Sequence, residues 1–167
     1  MRKSVVIALL SAFISVPAAA ADSQGSVGVN YGFDLDGVVG IQGEWNLAAA
    51  MPKKTPIRIQ LFWKNYSHRF QAAAGTFQYS YNGFGAAAIY DFGTVGKPGK
   101  KFKPYAGLGL ITLNSTLSGP NGPVPKSADS GGLYLTGGLR YEMTPRVLAD
   151  LNINNYGGLT IGAILEF

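Results

Sequence analysis

Six stretches of this chain alternate apolar and non-apolar residues with a period of two, and no charged residue falls on the apolar parity of any of them. Val27, Val29, Tyr31 and Phe33 alternate with Ser26, Gly28, Asn30 and Gly32, and Val39, Ile41, Trp45 and Leu47 with Gly40, Gln42, Glu44 and Asn46. Ile57, Ile59, Leu61 and Trp63 alternate with Arg58, Gln60, Phe62 and Lys64. The pattern returns at Leu133, Leu135, Leu139 and Tyr141, at Val147, Ala149, Leu151 and Ile153, and at Leu159, Ile161, Ala163, Leu165 and Phe167. Successive side chains of a strand point to opposite faces, so this periodicity dictates strands with one wholly apolar face. Two more strands are read at about 76–92 and 104–115, where glycine and alanine occupy both parities and leave the faces unassigned. Gly/Pro/Asn- or Lys-rich connections such as 96–101 and 119–123 separate them. Many short strands at this spacing make a sandwich or a barrel.

Strand periodicity does not say which solvent the apolar face meets. The non-apolar parity does. It carries mostly glycine, serine, asparagine, glutamine and threonine with isolated charges, whereas a solvated outer face carries many lysines and glutamates. The chain is 47% hydrophobic with only 14% charged residues and 23 glycines. Aromatic residues gather near strand ends (Tyr31, Phe33, Trp45, Trp63, Tyr90, Phe92, Tyr105, Tyr141), as in the girdles of membrane barrels. A long uncharged stretch, Phe70 to Tyr90, is broken by polar residues and glycines and does not read as a spanning helix. Apolar outside and polar inside is the reading these residues favour.

The first residues supply an export signal. Arg2 and Lys3 precede an apolar run from Val5 to Val16, and Ala18 to Ala21 give the small residues of a cleavage site. Residues 1–21 are expected to be a signal peptide cut after Ala21, with Ala20 the alternative, leaving 22–167 as one barrel domain. The net charge of +5 falls by two with Arg2 and Lys3, too mild a balance to imply nucleic acid. Cysteine is absent, so thiolate chemistry and disulfides are unavailable in the oxidising envelope.

Gly158 to Phe167 resembles the C-terminal signature of bacterial outer-membrane barrels, and the runs Tyr81–Phe92 and Lys103–Leu110 are similar to strands of OmpA/OmpX/Opa-like eight-stranded barrels. The resemblance implies an all-β, antiparallel up-and-down transmembrane barrel of about eight strands in the outer membrane of a Gram-negative bacterium. It implies recognition of the last strand (Ile161, Ala163, Leu165, Phe167) by the barrel-assembly machinery. Outer-membrane lipids and lipopolysaccharide are the expected partners of a monomer. Such a barrel leaves both termini in the periplasm. Connections near 34–37, 66–75, 115–130 and 155–158 then lie outside the cell, and Lys53, Lys54, Lys97, Lys100, Lys101 and Lys103 lie on the periplasmic side. These lysines read as solvated turns, with attraction to anionic headgroups the other reading.

Charges inside a narrow lumen need partners, because uncompensated burial is costly. A turn at Met143-Thr144-Pro145 sets Glu142 opposite Arg146 and Arg140 diagonal to Asp150. A hairpin at Asn155-Tyr156-Gly157 sets Arg146 opposite Glu166 and Leu148 opposite Ile164. Arg140, Glu142, Arg146, Asp150 and Glu166 are therefore expected to form a structural ion network, with a proton or ion path as the rival reading.

Chemistry is poorly represented. The single histidine, His68, adjoins Ser67, and some outer-membrane lipid A deacylases use such a pair; adjacent strand residues, however, point to opposite faces. No Gly-x-Ser-x-Gly elbow occurs, Gly107-Leu108-Gly109 lacks the third glycine of a dinucleotide loop, and the acids are too scattered to suggest a metal site. An eight-stranded lumen is just wide enough for side chains to fill, which counts against a porin-like diffusive pore. The sequence reading is a non-enzymatic outer-membrane barrel with a structural or surface-interaction role, without cofactor, metal or catalytic residues. Its alternatives are a lipid A-modifying enzyme and a soluble periplasmic ligand-binding barrel.

Overall fold

The computed structural model describes residues 25–33, 37–47, 56–95 and 101–167, with the backbone alone at 123–128. The expected signal peptide with Ala21, residues 34–36 of the first turn, and Lys53, Lys54, Lys97 and Lys100 lie outside the described residues. The strands are β1 (Gly25–Gly32), β2 (Val38–Asn46), β3 (Ile57–Ala72), β4 (Gly75–Asp91), β5 (Phe102–Gly119), β6 (Gly122–Thr144), β7 (Val147–Asn154) and β8 (Gly158–Glu166). They form a closed barrel in sequence order, every pair antiparallel, with β8 returning to β1 from Ser26↔Glu166 to Gly32↔Thr160. Closure leaves no edge within the wall.

The parity read from the sequence holds in all six orientable strands. Val29, Leu61, Leu135, Leu151 and Ile161 face outward and exposed, while Asn30, Gln60, Thr136, Asn152 and Thr160 are buried inside. The two unassigned strands now have faces: Phe84, Ala86, Ala88 and Tyr90 of β4 point outward, as do Leu108 and Leu110 of β5. Their other parity puts Ala87, Ile89, Tyr105 and Ile111 inside with Phe62 and Tyr134, a small apolar plug in an otherwise polar lumen.

Strand length divides the barrel. β1, β2, β7 and β8 have 8–9 residues, close to the roughly 9–11 that cross a bilayer, whereas β3 to β6 have 16–23. β2 stays paired with β3 only as far as Val38↔Tyr66, while the β3–β4 register runs on to Ala72↔Gly75 and the β5–β6 register to Gly119↔Gly122. The segments 66–75 and 115–130, expected as loops, are instead ladder-forming strands of a projecting sheet. All four hairpins at this far rim carry a positive-φ glycine: Gly37, Gly75, Gly122 and Gly158. Gly25 and Phe167 pair with each other at the opposite, near rim.

Polarity inverts along the long strands. In the wall, outward residues are apolar and inward ones mostly polar. On the projection, Asn65, Ser67, Asn82, Gln78, Ser80, Thr116, Asn114 and Asp129 form the outer face, tied by Asn65–Asn82, Ser67–Gln78, Ser80–Thr116 and Asn114–Asp129 hydrogen bonds. The inner face there is aromatic: Tyr66, His68 and Phe70 on β3 lie across from Tyr81, Tyr79 and Phe77 on β4. The outer face thus changes from a surface suited to hydrocarbon to one suited to water between Phe84 and Asn82 and between Leu110 and Asn114.

Glycines let β4 and β5 approach the plug. A Cβ at Gly109 would stand 2.1 Å from the Ala86 carbonyl oxygen and 2.6 Å from Ala87 Cα, both backbone atoms that cannot swing away. Gly109→Ala should therefore destabilise the barrel by about 1–3 kcal/mol, the usual cost of overpacking. Urea unfolding in lipid vesicles measures it, and an unchanged midpoint would mean that β4 and β5 are not packed this way.

Candidate functional site

The lumen is built in three tiers. At the near rim, Glu44 of β2 is the hub. Its Oε1 accepts from Arg140 Nη2 at 2.7 Å, from Gln60 Nε2 at 2.9 Å and from Gln42 Nε2 at 3.2 Å, and its Oε2 lies 3.0 Å from Arg58 Nη1. Arg58 also pairs with Asp91 of β4. Arg140, with no exposed surface, stacks its guanidinium 4.3 Å from the Tyr105 ring centroid and places Nε 3.5 Å from Asp150 Oδ1, within charge attraction but without hydrogen-bond geometry. Tyr105 donates to both Asp150 oxygens at 3.0 and 3.2 Å, and Asn152 donates to Oδ2 at 3.0 Å. Two buried guanidinium groups and their carboxylates thus tie β2, β3, β4, β6 and β7 together across the axis.

The sequence-derived network is redistributed. Arg140 and Asp150 meet directly across β6–β7, because a bulge between Glu142 and Thr144 shifts the register and puts Glu142 opposite Leu148 rather than Arg146. The β7–β8 register is as derived, with Leu148↔Ile164, Asp150↔Gly162 and Asn152↔Thr160. Arg146 nonetheless stays out of the lumen: its carbonyl accepts from Glu166 N at 2.8 Å, but its side chain is exposed and meets no carboxylate among the described residues. Glu142 and Glu166 turn instead to Lys103, at 4.0 and 3.6 Å, and Glu142 also takes Lys101 at 3.2 Å. Lys103 belongs to β5 and works inside the rim rather than in a solvated turn.

Above the apolar plug, Lys64 is buried at 3% exposure and donates to Asn154 Oδ1 at 2.6 Å, with its ammonium 5.0 Å from the Tyr134 ring centroid. The same Asn154 oxygen accepts from Tyr156 N at 3.2 Å, and Tyr81 OH donates to the Tyr156 carbonyl at 2.6 Å, so the β7–β8 turn is held down into the mouth. Over it lies a cleft of about 450 Å³ between the aromatic face of the projection (Tyr66, His68, Phe70, Tyr79) and the low rim at Val38 and Tyr156. That volume falls in the usual range of small-molecule sites.

His68 is one ring of this aromatic face, 6.4 Å from Tyr66 and 6.1 Å from Phe70 by centroids. Ser67 points to the other side and accepts from Gln78 Nε2 at 2.8 Å. The pair is not assembled as a dyad. Among the described residues no group of His, Asp and Glu converges as metal ligands. The expected assembly-signal residues Ile161, Ala163 and Leu165 pair across β8 with Tyr31, Val29 and Val27, and Phe167 exchanges two backbone hydrogen bonds with Gly25.

The functional side chains that sequence reading passed over are Glu44, Arg58, Gln60 and Asp91, and Tyr105, expected in the aromatic girdle, is instead 4% exposed inside the lumen because it stands on the inward parity of β5. Each stands on the inward parity of its strand, and Glu44 and Arg58 are charges in otherwise charge-poor segments. That signal was available for Glu44 and Arg58, which stand on neighbouring strands; the cross-lumen pairing of Glu44 with Arg140 was not.

The profile of the family described as outer membrane protein beta-barrel domain matches residues 6–160. No curated protein matches the chain. Among solved structures, the N-terminal β-barrel domain of Pseudomonas aeruginosa OprF is similar with a TM-score of 0.61 at 16% identity, over 86% of this chain and 96% of that one. Neisserial surface protein A follows with a TM-score of 0.57 at 19% identity, over 86% and 94%. A major outer membrane protein of Thermus thermophilus gives 0.50 at 14% identity, over 86% and 98%. At these identities the likeness concerns the fold.

Proposed function

For a chain that belongs to the outer membrane protein beta-barrel domain family, we propose a non-enzymatic role in which a filled barrel anchors the protein in the outer membrane and presents the β3–β6 projection outside the cell for surface interaction. The observation that carries this reading is the inverted polarity of the projection, whose outer face is polar and whose inner face on β3 and β4 is a row of aromatic rings over an open cleft. A strand extension that served only to close the wall would not need that inner face. The near-rim network and the apolar plug occupy the lumen with side chains, which favours a structural interior over a diffusive path. Ser67 and His68, on opposite faces, lend no support to lipid A chemistry, and family membership sets aside the soluble periplasmic barrel.

The absence of native cysteine makes the test clean. Thr76→Cys in the far β3–β4 hairpin should react with a membrane-impermeant maleimide in intact cells, and Pro145→Cys in the β6–β7 turn only after lysis. The reverse pattern would invert the topology and remove the projection from the cell surface. For the non-enzymatic part, lipid A from cells making the protein should keep its mass, and a lost acyl chain or phosphate would overturn it.

A further inference from the structure

A second cleft, of about 420 Å³, lies on the outside of the barrel where β4, β5 and β6 cross the level of polarity inversion. Its lower part is apolar: Phe84, 60% exposed, continues the hydrocarbon-facing column of Ala86 and Leu110. Its upper part is polar: Asn82, Thr112, Asn114 and Asp129. Thr112 and Asn82 are partly engaged, Thr112 Oγ1 donating to the Phe84 carbonyl and Asn82 Oδ1 accepting from Asn65. Asn114 Nδ2 donates to Asp129 Oδ1 at 2.7 Å, which orients the carboxylate and leaves its second oxygen as an acceptor. The back wall is Gly131, where an added Cβ would find only the Ile111 carbonyl oxygen, at 3.7 Å.

We propose that this cleft seats the head of a sugar-bearing lipid of the outer leaflet. The mixed lining selects an amphipathic occupant. An apolar floor continuous with the lipid-facing wall suits the start of an acyl chain, and a ceiling of amides, a hydroxyl and a carboxylate suits a head rich in hydroxyl groups. Charge narrows the class further. The lining carries one carboxylate and, among the described residues, no lysine or arginine. An ionised aspartate accepts hydrogen bonds from hydroxyl donors and repels phosphate, so a sugar head is preferred to a phosphate head. The position commits the source: the cleft opens sideways into the membrane surface rather than into the mouth, and a lipid arrives there already aligned.

The inference rests on the far rim being the extracellular one, and the test is chosen to fail separately from that reading. Trp63 lies beside the cleft, its ring centroid 6.5 Å from Phe84. In the Trp45→Phe chain, Trp63 is the sole tryptophan and reports bromine atoms on neighbouring acyl chains by quenching. The protein is refolded into phosphatidylcholine vesicles holding equal fractions of brominated monogalactosyl diacylglycerol or brominated phosphatidylglycerol. Both leaflets have the same composition, so barrel orientation does not enter. The sugar-headed lipid should quench Trp63 about two-fold more strongly, a small differential affinity on the logarithmic scale of binding energies. Gly131→Phe, which fills the cleft where there is room for a side chain, should erase the difference, and Asp129→Asn should raise quenching by the phosphate-headed lipid. Equal quenching by the two lipids, or a preference that survives Gly131→Phe, would overturn the proposal. So would loss of the preference on adding methyl galactoside, which would assign the cleft to a water-borne sugar.

Discussion

Replacing Arg140 with Met should destabilise the barrel by about 3–5 kcal/mol, the usual cost of leaving buried partners of a charge uncompensated. Arg140 has no exposed surface, and its removal strips Glu44 of its shortest contact, 2.7 Å, and Asp150 of its cation at 3.5 Å. Arg58 continues to offset Glu44, at 3.0 Å, so Asp150 is the group left worst placed. A double-mutant cycle of Arg140→Met with Glu44→Gln, read by urea unfolding in vesicles, should give a coupling of about 1–3 kcal/mol, as for residues in one network. The parallel cycle of Arg146→Ala with Glu166→Gln should be additive, each single change at Arg146 staying within about 0.5 kcal/mol as for exposed sites. Coupling at Arg146 and none at Arg140 would restore the five-residue network derived from the sequence and remove Glu44 as the hub.

The second large effect concerns the outer face. Leu110→Arg or Leu135→Arg should cost about 2–4 kcal/mol in a bilayer, the range for a cation on the lipid side of a barrel near the midplane. Leu110 is 69% exposed, so in water the same change would be nearly free; the penalty measures the hydrocarbon, not lost packing. Thr116→Arg, on the same face of β5 but above the inversion, should cost little. The gradient along one strand is the diagnostic: equal tolerance at Leu110 and Thr116 would place both in water.

The strands with a single apolar parity were legible from the sequence, and so was the β7–β8 register, because one short turn fixes both. The projection was not. In β3 the apolar parity passes from Ile57, Ile59, Leu61 and Trp63 to Tyr66, His68 and Phe70, and in β4 it passes from Phe77, Tyr79 and Tyr81 to Phe84, Ala86, Ala88 and Tyr90. A strand that leaves the membrane exchanges its solvent, and the apolar side moves from the outer face to the inner one. Read as one periodicity, β4 shows apolar residues on both parities and has no face; read as two, it marks the membrane boundary. The hub was hidden for a different reason. Arg140 and Glu44 are 96 positions apart and sit on strands that are not neighbours in the wall, so no hairpin register brings them together. Local pairing rules stop at adjacent strands. The bulge after Glu142 then moved Arg140 from a diagonal to a direct partner of Asp150, and no turn residue announced it.

One scan along the outward parity of β4 tests the central claim, that this wall faces hydrocarbon up to a level just below Asn82 and water above it. Nitroxide labels on cysteines placed singly at Thr76, Gln78, Ser80, Asn82, Phe84, Ala86 and Ala88 all point away from the lumen, so none disturbs its packing. In vesicles, collision with oxygen should dominate at Phe84, Ala86 and Ala88, collision with a water-soluble nickel chelate should dominate at Thr76, Gln78 and Ser80, and the crossover should fall at Asn82. Uniform access of the nickel chelate along the whole strand would contradict the account, leaving a barrel whose apolar face never meets lipid.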